Sequence, residues 1–269
     1  MNNALIFFLS CSIHNFAHLT MKKISEILGG VWKIYAGLVL SLSLIILYPF
    51  YAILLSKEPW FKTALKLLKV HTWFILLFVG IYVKVENKHF LKSTKSAVIT
   101  PNHSSYLDIL VLYQAIPNYF VFMGKHTLKT IPIFNIFFKK MNIAVNRKSI
   151  MSGKMALERC AKELQNENSV VLFPEGTIPD DAPNMLRFKS GAFKLAIEQQ
   201  KPIIPITFLS NYKRLQLSGL FSGKAGPGVA KIIIHEPIST IGMTIEDLLP
   251  LQNKVFEIIN QQLQKNGSR

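Results

Sequence analysis

The chain reads as an α/β protein, a mixed sheet flanked by helices, with an N-terminal membrane-associated helical segment in front of it. Three observations point there. From Lys84 onward, apolar runs of strand length alternate with helical patterns. Residues 34–56 contain no charged side chain. Finally, three short polar clusters each follow the carboxyl end of a strand-like run: "PNHSSYLD" from Pro101, "NR" at Asn146–Arg147 and "PEGT" at Pro174–Thr177. Sites in open α/β sheets collect beyond the carboxyl ends of the strands.

Taken in order, the first 20 residues lack the basic n-region of a secretory signal, and "MKK" at Met21 reads as a better natural start. No function is assigned to them. "IYAGLVLSLSLIILYPFYAILLS" (34–56) matches the ~20 apolar residues that cross a bilayer core. Lys33 and Lys57 bracket it, with Trp32, Tyr48 and Tyr51 near the interfaces. Pro49 would kink a helix here, so a segment that returns to its starting face stands beside a full span. "FKTALKLLK" (61–69) has the lysine-rich amphipathic pattern of a helix lying on a membrane surface. "VHTWFILLFVGIYV" from Val70 is short for a span and reads as interfacial, re-entrant or packed on the following domain. Residues 1–83 are thus expected to anchor, and 84–269 to form the working domain.

In that domain "SAVIT" (96–100) is a strand and "SSYLDILVLYQAI" a helix. "YFVFM" (119–123) is a strand, followed by a broken helical stretch to Lys140 and the short strand "IAV" (143–145). "IMSGKMALERCAKELQ" is a helix, "SVVLF" (169–173) a buried strand and "GAFKLAIEQQ" a helix. "PIIPITF" and "VAKIIIHEPI" are strands on either side of a Gly-rich loop. A helix beginning near "TIEDLLP", with Pro250 in its first turn, closes the chain.

Half of the 269 residues are hydrophobic, yet Lys plus Arg outnumber Asp plus Glu by 31 to 15. Residues 1–100 alone hold eleven Lys, no Arg and three Glu. An apolar, strongly basic chain fits an anionic membrane surface. No RNP-like aromatic motif, zinc-finger spacing or basic-region heptad accompanies the charge, so a nucleic-acid partner is set aside. The two cysteines, Cys11 and Cys160, form no CxxC and no Cys/His cluster, which leaves no case for a disulfide framework or a metal site. Cys160 sits at core spacing with Leu157, Ala161 and Leu164 and reads as a small buried hydrophobe.

"NHSSYLD" admits two readings. Ser105 and Asp108 have the S-x-x-D spacing of a capping box, which makes His103 a polar loop residue. Alternatively, His103 is a general base and Asp108 its orienting carboxylate. On one continuous helix five residues subtend about 500°, which leaves the side chains about 140° apart. The pair can meet only if His103 precedes the helix, in the strand–helix turn.

The motifs together resemble the glycerolipid acyltransferases, most of all the 1-acylglycerol-3-phosphate branch, over roughly residues 80–240. "NHSSYLD" is similar to the family's N-H-x4-D block and "FPEGT" (173–177) to its second signature. "GKHTLKTIPIFNIFFKKMNIAVNR" (124–147) resembles the block between them, and "KPIIPIT" (201–207) the last. The resemblance implies a membrane-bound enzyme that moves a fatty acyl group from acyl-CoA or acyl carrier protein to the sn-2 hydroxyl of lysophosphatidate. No metal and no bound cofactor is implied. His103 would take the acceptor's proton while Asp108 fixes the tautomer and stabilises the imidazolium, with no enzyme nucleophile. Asn102 and the first amides of the helix would assist an oxyanion or phosphate. Arg147 is implied at the acceptor phosphate, while Glu175, Gly176 and Thr177 would shape the acceptor site. One departure stands out: the family's F-P-E-G-T-R has Ile178 at its arginine position here. Lys125, Arg187 and Lys189 are candidate replacements, and another lysolipid or an aminolipid is the alternative acceptor. A non-catalytic lipid-binding protein of the membrane surface is the alternative of a different class. The lack of a signal and the basic flanks favour the cytoplasmic face of an inner cell membrane.

Overall fold

The computed structural model describes the backbone of residues 2–267 and the side chains of 19–266. The side chains of residues 1–18, Cys11 included, lie outside the described residues. The helices are α1 (Asn2–Leu54), α2 (Phe61–Phe78), α3 (His89–Ser93), α4 (Leu107–Ala115), α5 (Asn135–Lys139), α6 (Ile150–Gln165), α7 (Gly191–Glu198), α8 (Asn211–Arg214) and α9 (Leu248–Gly267). The strands are β1 (Ile81–Glu86), β2 (Val98–Pro101), β3 (Phe120–Lys125), β4 (Ile143–Val145), β5 (Ser169–Val171), β6 (Ile203–Phe208) and β7 (Gly228–Ile234).

One seven-stranded sheet runs in the order β1-β7-β6-β2-β5-β3-β4. β2 to β6 are mutually parallel through their pairings, β1 is parallel to β7, and β6 and β7 are antiparallel, so the sheet is mixed as expected. The inner strands β2, β5 and β6 are buried along their whole length. That explains why they read as unbroken apolar runs rather than as alternating patterns. Pro205 is tolerated within β6 because its missing N–H falls where β7 turns away, between the pairings Ile206–Ile234 and Ile203–Ile238. In chain order α4 connects β2 to β3, α6 connects β4 to β5 and α7 connects β5 to β6, with α4 packed against α2 and α6 against α7.

Residues 19–54 of α1 make up the one helix among the described residues that is long and apolar enough to cross a membrane. It continues through Pro49. α2 takes in both the lysine-rich stretch and the run from Val70 to Phe78. Its Ala64, Leu65, Leu68, Ile75 and Leu76 are buried, while Val70, Trp73, Leu77 and Phe78 are exposed. One face of α2 therefore packs on the domain, the last of the three arrangements considered for that run.

The boundary at residues 83/84 falls inside β1, and the core crosses it. Tyr51, Leu55, Leu65 and Leu68 join the same hydrophobic cluster as Val98, Ile99 and Ile204 of the sheet. The run "GIYV" looks helical because a short apolar stretch has no diagnostic period. What separates it from α2 is Gly80, whose φ of 72° ends the helix and lets β1 begin at Ile81. Two side chains of α1 close the joint, with Trp32 Nε1 and Tyr35 Oη each donating at 3.0 Å to the carbonyls of Val79 and Phe78.

Candidate active site

β2 delivers the chain to Pro101, and α4 begins at Leu107. His103 lies in the turn between them, the placement the spacing required. Its Nδ1 is 2.9 Å from Asp108 Oδ2. Asp108 is fully buried and His103 nearly so, at 13% side-chain exposure. The ring stacks on Phe173 at 4.0 Å between centroids, which fixes its plane. With Asp108 as acceptor, Nδ1 carries a proton and Nε2 is left as the basic atom. Nε2 has no partner among the described residues, and His103 lines a cavity of about 640 Å³.

The capping and base readings of Asp108 coexist. Oδ2 also accepts from the backbone N–H groups of Ser104 (2.7 Å) and Ser105 (3.0 Å), while Oδ1 accepts from Ser104 Oγ (3.3 Å) and Asn211 Nδ2 (2.7 Å). Ser105 Oγ in turn accepts from the N–H of Leu107 at 3.0 Å. A buried carboxylate needs this many donors to remain charged.

The cavity is largely apolar. Leu40 and Leu44 of α1, Leu68 and Ile75 of α2, and Phe134, Phe137 and Phe138 around α5 form much of its wall. Lys125, Arg147 and Thr177 line it too, all exposed. Lys125 pairs in register with Val145, two residues before Arg147, so neighbouring strand ends bring the two cations to one edge. Although Arg147 is exposed on one side, the surrounding protein partly desolvates its guanidinium and lowers its pKa from the ordinary value.

The structure places Asn102, Glu175 and Arg187 away from the cavity lining. Asn102 does not face the cavity: it is buried, with Oδ1 accepting from the N–H of Phe208 at 2.7 Å and Nδ2 donating to its carbonyl at 3.3 Å. It clamps β2 to β6, because a side chain at the end of a central strand meets its neighbour's backbone first. Glu175 is also spent on the main chain. Its Oε1 accepts from the N–H of His103 at 2.7 Å and its Oε2 from the N–H of Leu186 at 2.8 Å, and it forms no ion pair with Arg147 among the described residues. Burial raises its pKa to about 7, opposed by those two bonds and reinforced by the Asp108 charge. Arg187, the third, is exposed and lies outside the cavity lining.

Gly176 has φ 78°, and a Cβ there would sit 2.8 Å from Lys189 Nζ. The glycine thus both makes the turn and lets Lys189 cross it. Ile178 is buried in the cavity wall. Two site residues escaped the sequence reading altogether: Ser104, as a donor to Asp108, and Asn211. Nothing local in "LSNYKR" marks Asn211, since its partner lies 103 residues away.

The Acyltransferase family model matches residues 82–209, which include His103, Asp108, Lys125, Arg147 and Glu175 but neither Asn211 nor the cavity-wall residues of α1 and α2. Residues 82–209 therefore form an acyltransferase domain of that family. The chain is 34% identical over 184 residues to an uncharacterized acyltransferase of Schizosaccharomyces pombe, covering 67% of this chain and 64% of that one. To the 1-acyl-sn-glycerol-3-phosphate acyltransferase alpha of Mus musculus it is 31% identical, covering 71% and 66%. The chain thus spans just under two thirds of the length of these relatives. The crystal structure of the 1-acyl-sn-glycerophosphate (LPA) acyltransferase PlsC from Thermotoga maritima shares the fold, with a TM-score of 0.73 at 20% identity over 91% of this chain and 98% of that one.

Proposed function

We propose that this chain transfers a fatty acyl group from an acyl thioester, carried by coenzyme A or acyl carrier protein, to the sn-2 hydroxyl of lysophosphatidate. The observation that carries the reading is His103 Nδ1 at 2.9 Å from a fully buried Asp108, at a cavity that is apolar except for a few polar and cationic groups. Nε2 of His103 takes the hydroxyl proton as the oxygen attacks the thioester carbonyl. The imidazolium that forms is stabilised by Asp108. Collapse of the tetrahedral intermediate breaks the C–S bond, and the proton passes from Nε2 to the departing sulfur. The enzyme ends unchanged and no acyl-enzyme is needed.

The acyl chain fits the apolar cavity between α1, α2 and α5, and the acceptor phosphate fits Lys125 and Arg147. Lys189 crosses Gly176 but, like Arg187, lies outside the cavity lining, so Lys125 and Arg147 are the cations left for the phosphate where Ile178 replaces the expected arginine. The exposed apolar flanks of α1 and α2 favour attachment to an anionic membrane, on the cytoplasmic side where acyl thioesters are made. Ile178 in the cavity wall favours a second reading, with the same chemistry on a lysolipid of lower headgroup charge.

The test is thiol release from an acyl thioester by membranes bearing the protein, with lysophosphatidate, lysophosphatidylcholine, lysophosphatidylethanolamine and a lyso-aminolipid as acceptors. Preference for lysophosphatidate, abolished in His103→Ala, is expected. Turnover confined to the other acceptors would replace the substrate and keep the chemistry. Turnover that survives His103→Ala would sink the mechanism.

A further inference from the structure

We infer that Asn211 is a positioning residue for the base, setting through Asp108 both the direction and the basicity of His103. The inference rests on the acyl-transfer reading above and adds a residue outside the span of the family match.

Five donors converge on the Asp108 carboxylate. Four of them belong to residues 103–105: the His103 Nδ1–H, the N–H groups of Ser104 and Ser105, and Ser104 Oγ. They sit on the same turn as the carboxylate and would move with it. The fifth is Asn211 Nδ2, at 2.7 Å from Oδ1, and it comes from the residue that opens α8 just beyond β6. Asn211 is therefore the donor that refers the carboxylate to the sheet instead of to its own turn.

Its surroundings are built for that purpose. The turn of residues 102–108 and the segment 208–215 are tied together at three points. Asn102 holds Phe208 through both its amide atoms, and Ser105 Oγ donates to the Leu215 carbonyl at 2.6 Å. The third tie, Asn211, is the one that ends on a reacting pair's carboxylate. Its amide cannot be flipped, because that would set Oδ1 against a carboxylate oxygen. Held this way, Asn211 Oδ1 is buried with no partner among the described residues. An unpaired buried acceptor is unfavourable. An apolar side chain would avoid that penalty, so the feature to be explained is the donor at the amide's other end.

Two consequences follow from charge. Without Nδ2, Oδ1 keeps only the long 3.3 Å bond from Ser104 Oγ, so the carboxylate is freer to rotate away from Nδ1. Its negative charge is also less shared, which strengthens its pull on the imidazolium and raises the pH at which His103 loses its proton. Neither change touches substrate, since Asn211 lies outside the cavity lining.

The experiment uses the full chain in membranes and measures thiol release from pH 5 to 9, with thermal unfolding followed in parallel. In Asn211→Leu, kcat should fall about tenfold or more while KM for thioester and acceptor stays within about twofold, and the acid limb of the profile should move to higher pH. Asn211→Asp should act by protonation state. The introduced carboxyl, next to the Asp108 anion, holds a proton at low pH and donates as the amide does. It loses that proton and repels Asp108 as pH rises, which adds an alkaline fall in rate beyond that of the natural protein. Asn211→Ser, which keeps a hydroxyl donor, should recover part of the loss in Asn211→Leu. Unchanged kcat and an unchanged profile in Asn211→Leu would overturn the proposal. Should that variant fail to fold, an Asn211→Asp profile identical in shape to the natural one would overturn it equally. His103→Ala runs alongside: if it is inactive and the Asn211 profiles are unmoved, only this proposal fails. If it keeps turning over, the base assignment fails and this proposal with it.

Discussion

Two histidines, His71 and His103, line the same cavity, and the structure builds them differently. His71, on α2, has both ring nitrogens engaged: Nδ1 with Tyr51 Oη at 2.8 Å and Nε2 with Ser43 Oγ at 2.9 Å. Both partners are neutral hydroxyls on α1, and Tyr51 is fully buried. His103 instead has a carboxylate on Nδ1 and, among the described residues, no partner on Nε2, and it lines the cavity. A ring with both nitrogens taken can only brace two helices. A ring with a charged partner on one side and a free nitrogen on the other can take a proton and be stabilised while it holds it. A histidine beside a cavity is thus no evidence of a base until both its nitrogens have been accounted for.

That contrast can be broken in several ways. The largest effect expected is from His103→Ala, with thioester turnover falling about 10³-fold in protein that still folds. Equal loss in His71→Ala would erase the distinction. Asp108→Asn should cost about 10²-fold or more by disfavouring the productive tautomer and the imidazolium, and should leave the binding of both substrates in place. Filling the cavity between the two histidines comes next. Leu44→Trp should lower turnover of long-chain thioesters about tenfold and spare short ones, read as a shift in chain-length preference. If all chain lengths fell together, the cavity would not be holding the acyl chain.

His71→Phe should leave turnover within about threefold but lower thermal stability, because Tyr51 and Ser43 are left unpaired at about 1–3 kcal/mol for a buried polar group. The smallest effect is a pH slope, from a third buried group. Glu175 titrates at about 7 in the folded chain against an ordinary 4.5. Since the folded value is the higher, the protonated carboxyl contributes stability that is complete below about pH 4.5 and is lost as pH rises through about 7. Glu175→Gln, which has no proton to lose, should flatten the fall in unfolding midpoint between pH 5 and pH 8. A slope unchanged by the substitution would place its origin elsewhere.

Neighbouring residues of one motif proved unequal. In "NHSSYLD" the spacing let His103 and Asp108 meet only with His103 in a turn before α4, which is where His103 lies. Asn102, one residue earlier, was expected at the ligand and instead holds Phe208. In "FPEGT", Gly176 makes the turn as the glycine suggested, but the Glu175 carboxylate is consumed by two backbone amides. Residue type reveals what chemistry a side chain can do. It does not reveal which of several donors or acceptors reaches it first.

By itself the sequence determined the mixed α/β sheet, the apolar N-terminal helix, the helix α6 with Cys160 in the core, and the one placement of His103, in a turn before its helix, that would let it meet Asp108. These depend on contacts within a few residues or on periodicities of a single element. Only the tertiary structure decided that α1 and α2 share the sheet's core, that Gly80 starts a strand edge at Ile81, that Lys189 crosses Gly176, and that Asn211 reaches Asp108 from 103 residues away. Those contacts join elements whose order in the sheet, β1-β7-β6-β2-β5-β3-β4, differs from their order in the chain, so no local pattern records them.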